Sequence, residues 1–295
     1  MHDKRFYDSA LALIERDSVE MAMHMLVGQL HSAKAEPQRW QSARQAYLDH
    51  PLRAAMLEDP YIARCVNKPR GYAGDAELID MIYDQQAPGD ISQRGQRLFN
   101  ESMAFPTSDA VRQRRDFAEQ LVGDAARSGQ RILSLACGHF REGDPLIGQD
   151  LSHVTLVDQD ALSLAVVRQR HGAAVNCREA NVFSFLRSAA ARGDRFDLIY
   201  TLGLTDYLDD RAMTLLHKMV GAVLAPGGTF LLANFMPGHL SIGWIEAVMD
   251  WYLIYREPED LAAFARAGGF EPEVWHEPTG AIAWCRMKRD EPRLA

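Results

Sequence analysis

The stretch Leu133-Ser134-Leu135-Ala136-Cys137-Gly138-His139-Phe140-Arg141-Glu142-Gly143 reads as a short apolar strand running into a turn, with a helix expected next. A glycine at such a turn lets backbone approach a ligand closely, and a helix N-terminus offers free N–H groups to an anionic part of it. Twenty residues after Gly138, Leu156-Val157-Asp158 ends a second strand in a carboxylate, which can accept both hydroxyls of a ribose. The plainer alternatives are that Gly138 only makes a turn and that Asp158 only caps a helix from Ala161 onward.

Outward from this stretch, β-rich runs at 132–136, 154–157, 174–178, 196–200, 229–233, 273–276 and 281–287 alternate with helical stretches. That alternation implies right-handed crossovers and a mostly parallel sheet with helices on both faces. Only Glu277-Pro278-Thr279-Gly280 joins the last two runs, too little for a crossover helix, so an antiparallel hairpin at the sheet edge is expected. Before about residue 130 the pattern is all-helical, with apolar spacing of three and four in Val19, Met23, Leu26, Val27 and Leu30. Prolines at 37, 51, 60, 69, 88 and 106 punctuate it, since none suits a helix interior beyond the first turn. The expected division is a helical domain over 1–125 and an α/β domain over 126–295.

Among 295 residues, 47% are hydrophobic and 24% charged, an ordinary globular composition. The 32 basic and 40 acidic residues give a formal charge of -8, which opposes a sequence-independent grip on nucleic acid. Cys65, Cys137, Cys177 and Cys285 form no C-x-x-C pair, so neither a metal cluster nor a disulfide framework is expected. The first residues lack a long apolar run, and no run approaches the roughly 20 residues that span a bilayer. These readings favour a cytoplasmic protein without stable membrane insertion. A homodimer is the assembly considered.

The turn after the first strand lacks the G-x-G-x-x-G that a pyrophosphate needs, while Ala180-Asn181-Val182-Phe183 comes after the third strand, where an amide can read an adenine edge. Arg195-Phe196-Asp197-Leu198-Ile199-Tyr200 reads as the fourth strand, and Leu224-Ala225-Pro226-Gly227-Gly228-Thr229-Phe230 as a tight turn into the fifth. In this ordered set, A-C-G-x-x-R-E-G, V-D, A-N-V-F, F-D-L-I-Y and L-x-P-G-G, the chain resembles the class I S-adenosylmethionine-dependent methyltransferases over roughly 110–287. The resemblance implies a Rossmann-like seven-stranded sheet, mostly parallel with the last strand antiparallel, behind an N-terminal helical cap. It implies S-adenosyl-L-methionine as cofactor and S-adenosyl-L-homocysteine as product. By resemblance Ala136 and Gly138 approach the methionyl and sugar part, Asp158 with Gln159 takes the ribose, Asn181 and Val182 border adenine, and Thr201 or Leu202 lies beneath the sulfonium. Arg141 pairs with Glu142 or with the cofactor carboxylate, or makes a surface ion pair. His139, Phe140 and Arg141 replace the glycines of the commonest first motif.

Asn67-Lys68-Pro69-Arg70-Gly71-Tyr72-Ala73-Gly74-Asp75 is a loop-forming stretch with two cations, a phenol and an acid, ahead of a helix capped by Asp75. With Gly203-Leu204-Thr205-Asp206-Tyr207-Leu208 and Leu253-Ile254-Tyr255-Arg256, it is similar to a bacterial subgroup described as making 3-hydroxy fatty acid methyl esters. That likeness implies a cap closing over the cofactor, with Arg70 and Tyr72 reaching the substrate or the methionyl carboxylate. Trp251 and Tyr252 fall in an expected helical stretch over 242–254, with Tyr255 and Arg256 just beyond it, and the four serve either core or pocket.

A carboxylate acceptor is already a nucleophile at neutral pH and needs only partners, here Arg70, Tyr72, Tyr255 and Arg256. An amine or hydroxyl acceptor needs a base, with His139, His239 or Asp206 as candidates. The function expected is methylation of a small molecule, a carboxylate ahead of an amine or hydroxyl. The rivals are a nicotinamide-dependent oxidoreductase, disfavoured by the missing third glycine, and a non-catalytic cofactor-binding protein. Nucleic-acid methylation is opposed by the acidic balance and by the absence of N-P-P-Y or D-P-P-Y after the fourth strand.

Overall fold

A computed structural model describes residues 2–289. Its helices and strands run in the order α1 (His2–Glu15), α2 (Val19–Lys34), α3 (Pro37–Leu48), α4 (Leu52–Met56), α5 (Pro60–Asn67), α6 (Ala76–Asp84), α7 (Gln93–Ala104), α8 (Pro106–Arg127), β1 (Ile132–Leu135), β2 (Val154–Asp158), α9 (Ala161–His171), β3 (Asn176–Glu179), α10 (Val182–Arg192), β4 (Phe196–Thr201), α11 (Asp210–Val223), β5 (Leu224–Phe235), α12 (Ile242–Ala247), α13 (Pro258–Ala267), β6 (Glu271–His276) and β7 (Ile282–Lys288). Prolines open α3, α5, α8 and α13, where the missing N–H is free of cost and the fixed φ already suits a helix. Carboxyl or amide oxygens of Asp59, Asp75, Asp160, Asn181 and Asp209 accept backbone N–H groups at the starts of α5, α6, α9, α10 and α11.

The chain forms two compact units. One comprises the residues up to Val111 together with Gly238–Tyr252; the other comprises Arg112–Pro237 and the chain from Leu253 onward. The boundary expected at 125 falls inside α8. The helical unit is built on Tyr7, Met23, Leu26, Leu30 and Tyr47, all buried, and the Tyr7 hydroxyl donates to the Ala43 carbonyl at 2.9 Å. Gly238–Tyr252 is part of this packing: a Cβ on Gly243 would lie 2.6 Å from the Leu30 carbonyl oxygen, and Trp244 meets Phe105 edge-on at 5.4 Å. Lys34 pairs with Glu246, and Asp250 takes both Lys68 at 2.7 Å and Arg44 at 3.3 Å. The helix expected over 242–254 is only the six residues of α12; beyond it the backbone turns left-handed at Asp250 (φ 51°) and continues without helix to Glu257.

The second unit carries a seven-stranded sheet in the order β3-β2-β1-β4-β5-β7-β6. All neighbours up to β5 are parallel, and β7 runs antiparallel to both β5 and β6. The closing hairpin therefore lies at one edge, as its short connection requires. Its core packs Leu133, Leu135, Val157, Ile199, Phe230 and Leu232 of the sheet with Leu186, Leu216 and Leu261 of the helices. The stretch 224–229 differs from the expected turn: it stays within β5 and bulges, so that the advance from Leu224 to Thr229 is matched on β4 only by the shorter advance from Phe196 to Leu198. Strand order reverses at β1, which has β2 on one side and β4 on the other. In open α/β sheets the crevice at the carboxyl ends of such strands is where ligands bind.

Candidate active site

The loop leaving β1 is left-handed at every second residue: Ala136 at φ 56°, Gly138 at 53° and Phe140 at 51°. Only glycine adopts this conformation without cost; for Ala and Phe it costs on the order of 1–2 kcal/mol. Packing offsets the cost at Phe140, whose ring is fully buried and lies 5.2 Å from the ring of His171. Gly143 leaves room for that ring, since a Cβ there would sit 2.1 Å from Phe140 Cε1. The missing glycines of the commonest motif are thus replaced by a buried phenyl and a single glycine beneath it. The chain then makes a six-residue 3₁₀ turn, Arg141–Leu146, in place of the expected helix, and Pro145 within it has no N–H for an α-helical bond.

This loop is pinned to the end of β2. Cys137 N donates to the Val157 carbonyl at 3.1 Å. Gly138 N donates to Asp158 Oδ2, and Asp160 N to Asp158 Oδ1, each at 2.9 Å. Burial raises the Asp158 carboxyl above its usual range while these two amides pull it back. Each carboxylate oxygen keeps lone pairs for further donors.

At the end of β4, Thr201 is buried and its hydroxyl has no hydrogen-bond partner. The Leu202 carbonyl accepts Arg114 Nη1 of α8 at 2.6 Å. Beneath, the buried Tyr200 hydroxyl donates to Glu142 Oε1 at 2.6 Å, and burial raises both groups above their ordinary values. Asp206 is buried after β4, accepts Phe235 N on Oδ1 at 2.7 Å, and is pushed up to about 6 by burial. Its own carbonyl accepts Ile254 N at 2.7 Å.

Several residues read as site groups are engaged elsewhere. Arg256 is 3% exposed and donates to the carbonyls of Thr205 at 2.9 Å and Leu208 at 2.5 Å, to Asn234 Oδ1 at 3.3 Å and to Asp210 Oδ1 at 3.1 Å. It clamps the segment after β5 to the loop after β4 instead of presenting a charge to an acceptor. Asp206 likewise holds backbone. Arg141 pairs with Asp144 at 2.9 Å rather than with Glu142, and Asp144 also takes Arg170. Asn181 gives its side-chain oxygen to Phe183 N at 3.0 Å and Ser184 N at 3.4 Å as the cap of α10, and Val182 beside it is buried. Gln159 is exposed and Tyr255 half-buried. Arg70 and Tyr72 belong to the helical unit, where Arg70 pairs with Glu77 at 2.5 Å, and Arg64 holds Asp75 at 2.8 Å and Glu77 at 2.6 Å. Burial lowers His239 to about 4, which keeps it neutral, and His139 is buried after β1.

Sequence patterns did not single out Arg114, Tyr200 or the buried role of Glu142. Arg114 sits in Arg112-Gln113-Arg114-Arg115, where nothing distinguishes it from its neighbours. Among the described residues no group of three or more His, Cys, Asp or Glu is placed to hold a metal, and no helix is long and apolar enough to cross a membrane.

No family model matches the chain, and no curated protein matches it in sequence. Among solved structures it is similar to a "possible exported protein" from Bordetella parapertussis, at 17% identity and TM-score 0.61 over 90% of this chain and 96% of that one. It is also similar to magnesium protoporphyrin IX methyltransferase from Synechocystis PCC 6803 with bound SAH, at 12% identity and TM-score 0.51 over 79% of this chain and 100% of that one. The chain has the class I methyltransferase fold. At such identities the likeness concerns the fold, and the chemistry has to be argued from the residues at the ends of β1, β2 and β4.

Proposed function

We propose that this chain is an S-adenosylmethionine-dependent methyltransferase that converts a small-molecule carboxylate, of the 3-hydroxy fatty acid class, into its methyl ester. The observation that carries the cofactor is the pairing of Gly138 N with Asp158 inside a loop held left-handed at three positions, at the strand where sheet order reverses. The residues fit the group. Asp158 has lone pairs left for two ribose hydroxyls, Gly138 brings backbone close, and with its oxygen spent on α10, Asn181 retains its NH₂ for an adenine edge. Thr201 ends β4, the strand next to β1, and Leu202 follows it.

S-adenosylmethionine, when bound, supplies a methyl group already activated by its sulfonium charge. The protein's share is to hold, align and keep water out, and alignment is worth roughly 7–11 kcal/mol in well-oriented systems. The employment of Asp206 in backbone bonds favours the carboxylate acceptor, because it takes away one of the three bases available to an amine or hydroxyl.

The test is calorimetric titration with S-adenosylhomocysteine, then incubation of S-adenosylmethionine with 3-hydroxy fatty acids and mass spectrometry of the product. A methyl group lost on mild alkaline hydrolysis is expected, with a rate nearly flat from about pH 6 to 9 because a carboxylate titrates near pH 4. An alkali-stable methyl group, or a rate climbing tenfold per pH unit, points to an amine or hydroxyl acceptor. Tight cofactor binding without turnover on any acceptor leaves a binding protein.

A further inference from the structure

Arg114 is 4% exposed, and its guanidinium has one hydrogen bond, from Nη1 to the Leu202 carbonyl at 2.6 Å. Nε is buried with no acceptor, and no carboxylate forms an ion pair with it among the described residues. A buried guanidinium with no carboxylate in contact with it is costly, and it cannot escape the cost by losing its proton. Its position explains what the cost is for. Both terminal nitrogens lie 3.9 Å from where a Cβ of Gly203 would be, so the fork lies against the backbone that leaves β4. Thr201, two residues earlier, contributes a second buried polar group without a partner at the same strand end. Glu142 and Asp206 are near enough for the Arg114 charge to draw their burial-raised carboxyls partway down, yet one bonds to Tyr200 and the other to backbone.

We infer that Arg114 is a ligand-binding residue that receives a carboxylate at the carboxyl end of β4. This builds on the methyltransferase reading, which offers two sources for that group: the methionyl tail of the cofactor and the acid to be methylated. A planar fork with free donors suits a carboxylate geometrically.

The experiment compares the full-length protein with Arg114→Gln and Arg114→Lys by calorimetry, after thermal melts have shown that each variant folds. Three probes are used: S-adenosylhomocysteine; 5′-methylthioadenosine, which has the nucleoside and thioether but no carboxylate; and 3-hydroxydecanoate added to nucleoside-loaded protein. If the cofactor tail is the source, Arg114→Gln weakens S-adenosylhomocysteine about 10- to 100-fold and 5′-methylthioadenosine less than about threefold, with Arg114→Lys in between. If the acceptor is the source, both nucleosides bind as in wild type and only the hydroxy acid weakens by that factor. Equal binding of all three probes by wild type and both variants overturns the inference and leaves Arg114 as a clamp on Leu202. So does an equal loss for both nucleosides, which would mark a general distortion of the site. Wild-type protein that binds neither nucleoside removes the methyltransferase reading, and 3-hydroxydecanoate titrated into the unloaded wild type and variants then decides Arg114. Should Arg114→Gln not fold, Arg114→Lys carries the comparison, because it keeps the charge and loses the fork.

Discussion

Asp158 fixes the loop after β1 through Gly138 N and accepts Asp160 N on its other oxygen, and in the proposed function its remaining lone pairs go to a ribose. In Asp158→Ala we expect S-adenosylhomocysteine affinity to fall about 10- to 100-fold, the loss of a charged hydrogen bond, while the protein still folds. Unchanged calorimetric binding would refute the assignment. Phe140 and Gly143 form a second residue-level unit, a ring and the space made for it. Gly143→Ala should cost about 1–3 kcal/mol through overpacking and Phe140→Ala about 3–5 kcal/mol through the void. Combined, the added methyl occupies part of the vacated volume, so the double variant should lose less than the sum. Urea midpoints of the four proteins measure this, and strict additivity would show that the two residues do not share that space.

At the scale of elements, charged groups that look available in the sequence turn out to be fastening backbone. Arg256 makes four hydrogen bonds, two to carbonyls of the loop after β4, one to Asn234 of β5 and one to Asp210 at the start of α11. Arg256→Leu should therefore destabilise the protein by about 2–4 kcal/mol, since it strands buried acceptors. A variant of wild-type stability whose only defect is weaker acceptor binding would return Arg256 to the acceptor. Asp59 is a comparable case in the helical unit: it caps α5 through Tyr61 N, accepts the Ser102 hydroxyl at 2.6 Å, and is pushed by burial from 3.8 to about 7. Between those values the folded chain binds more protons than the unfolded one. The Asp59 contribution to stability is therefore present below about pH 4 and declines as pH rises toward 7. The stability difference between wild type and Asp59→Asn should fall with rising pH by on the order of 1 kcal/mol per unit across that window. Denaturant melts at pH 5, 6 and 7 give the slope, and a constant difference would contradict the buried-acid reading.

At the scale of the whole molecule, the chain leaves the sheet-bearing unit after Pro237 and rejoins it at Leu253, spending fifteen residues on the helical unit. This decides where the protein can be cut. A chain beginning near Arg112 that retains Gly238–Tyr252 strips Trp244, Glu246 and Asp250 of Phe105, Lys34, Arg44 and Lys68, and it should aggregate. Replacing Gly238–Tyr252 in that chain by a short Gly/Ser linker should restore solubility and the sheet. Size-exclusion chromatography and far-UV circular dichroism of the two proteins distinguish the outcomes, and equal behaviour would show that the excursion is not committed to the helical unit.

The sequence by itself determined the sheet: seven apolar runs, their alternation with helical stretches, and a connection between the last two too short for a crossover leave little freedom, because strand and helix periodicities are local properties. The proline positions that open α3, α5 and α8 were legible for the same reason. Gly138 and Asp158 were readable as a pair because a strand-end turn and the next strand's last residue are brought together by any parallel sheet of this order. The tertiary structure alone decided which charges are free. Arg114 and Arg256 are both arginines in polar stretches, yet one has a buried nitrogen without an acceptor and the other has four acceptors. That difference comes from carbonyls and side chains that lie 22 to 88 residues away along the chain and meet each arginine only when β4, β5 and α8 pack. The fifteen-residue excursion is the same lesson in backbone: its membership in the helical unit is set by long-range packing on Leu30 and Phe105, which no local pattern encodes.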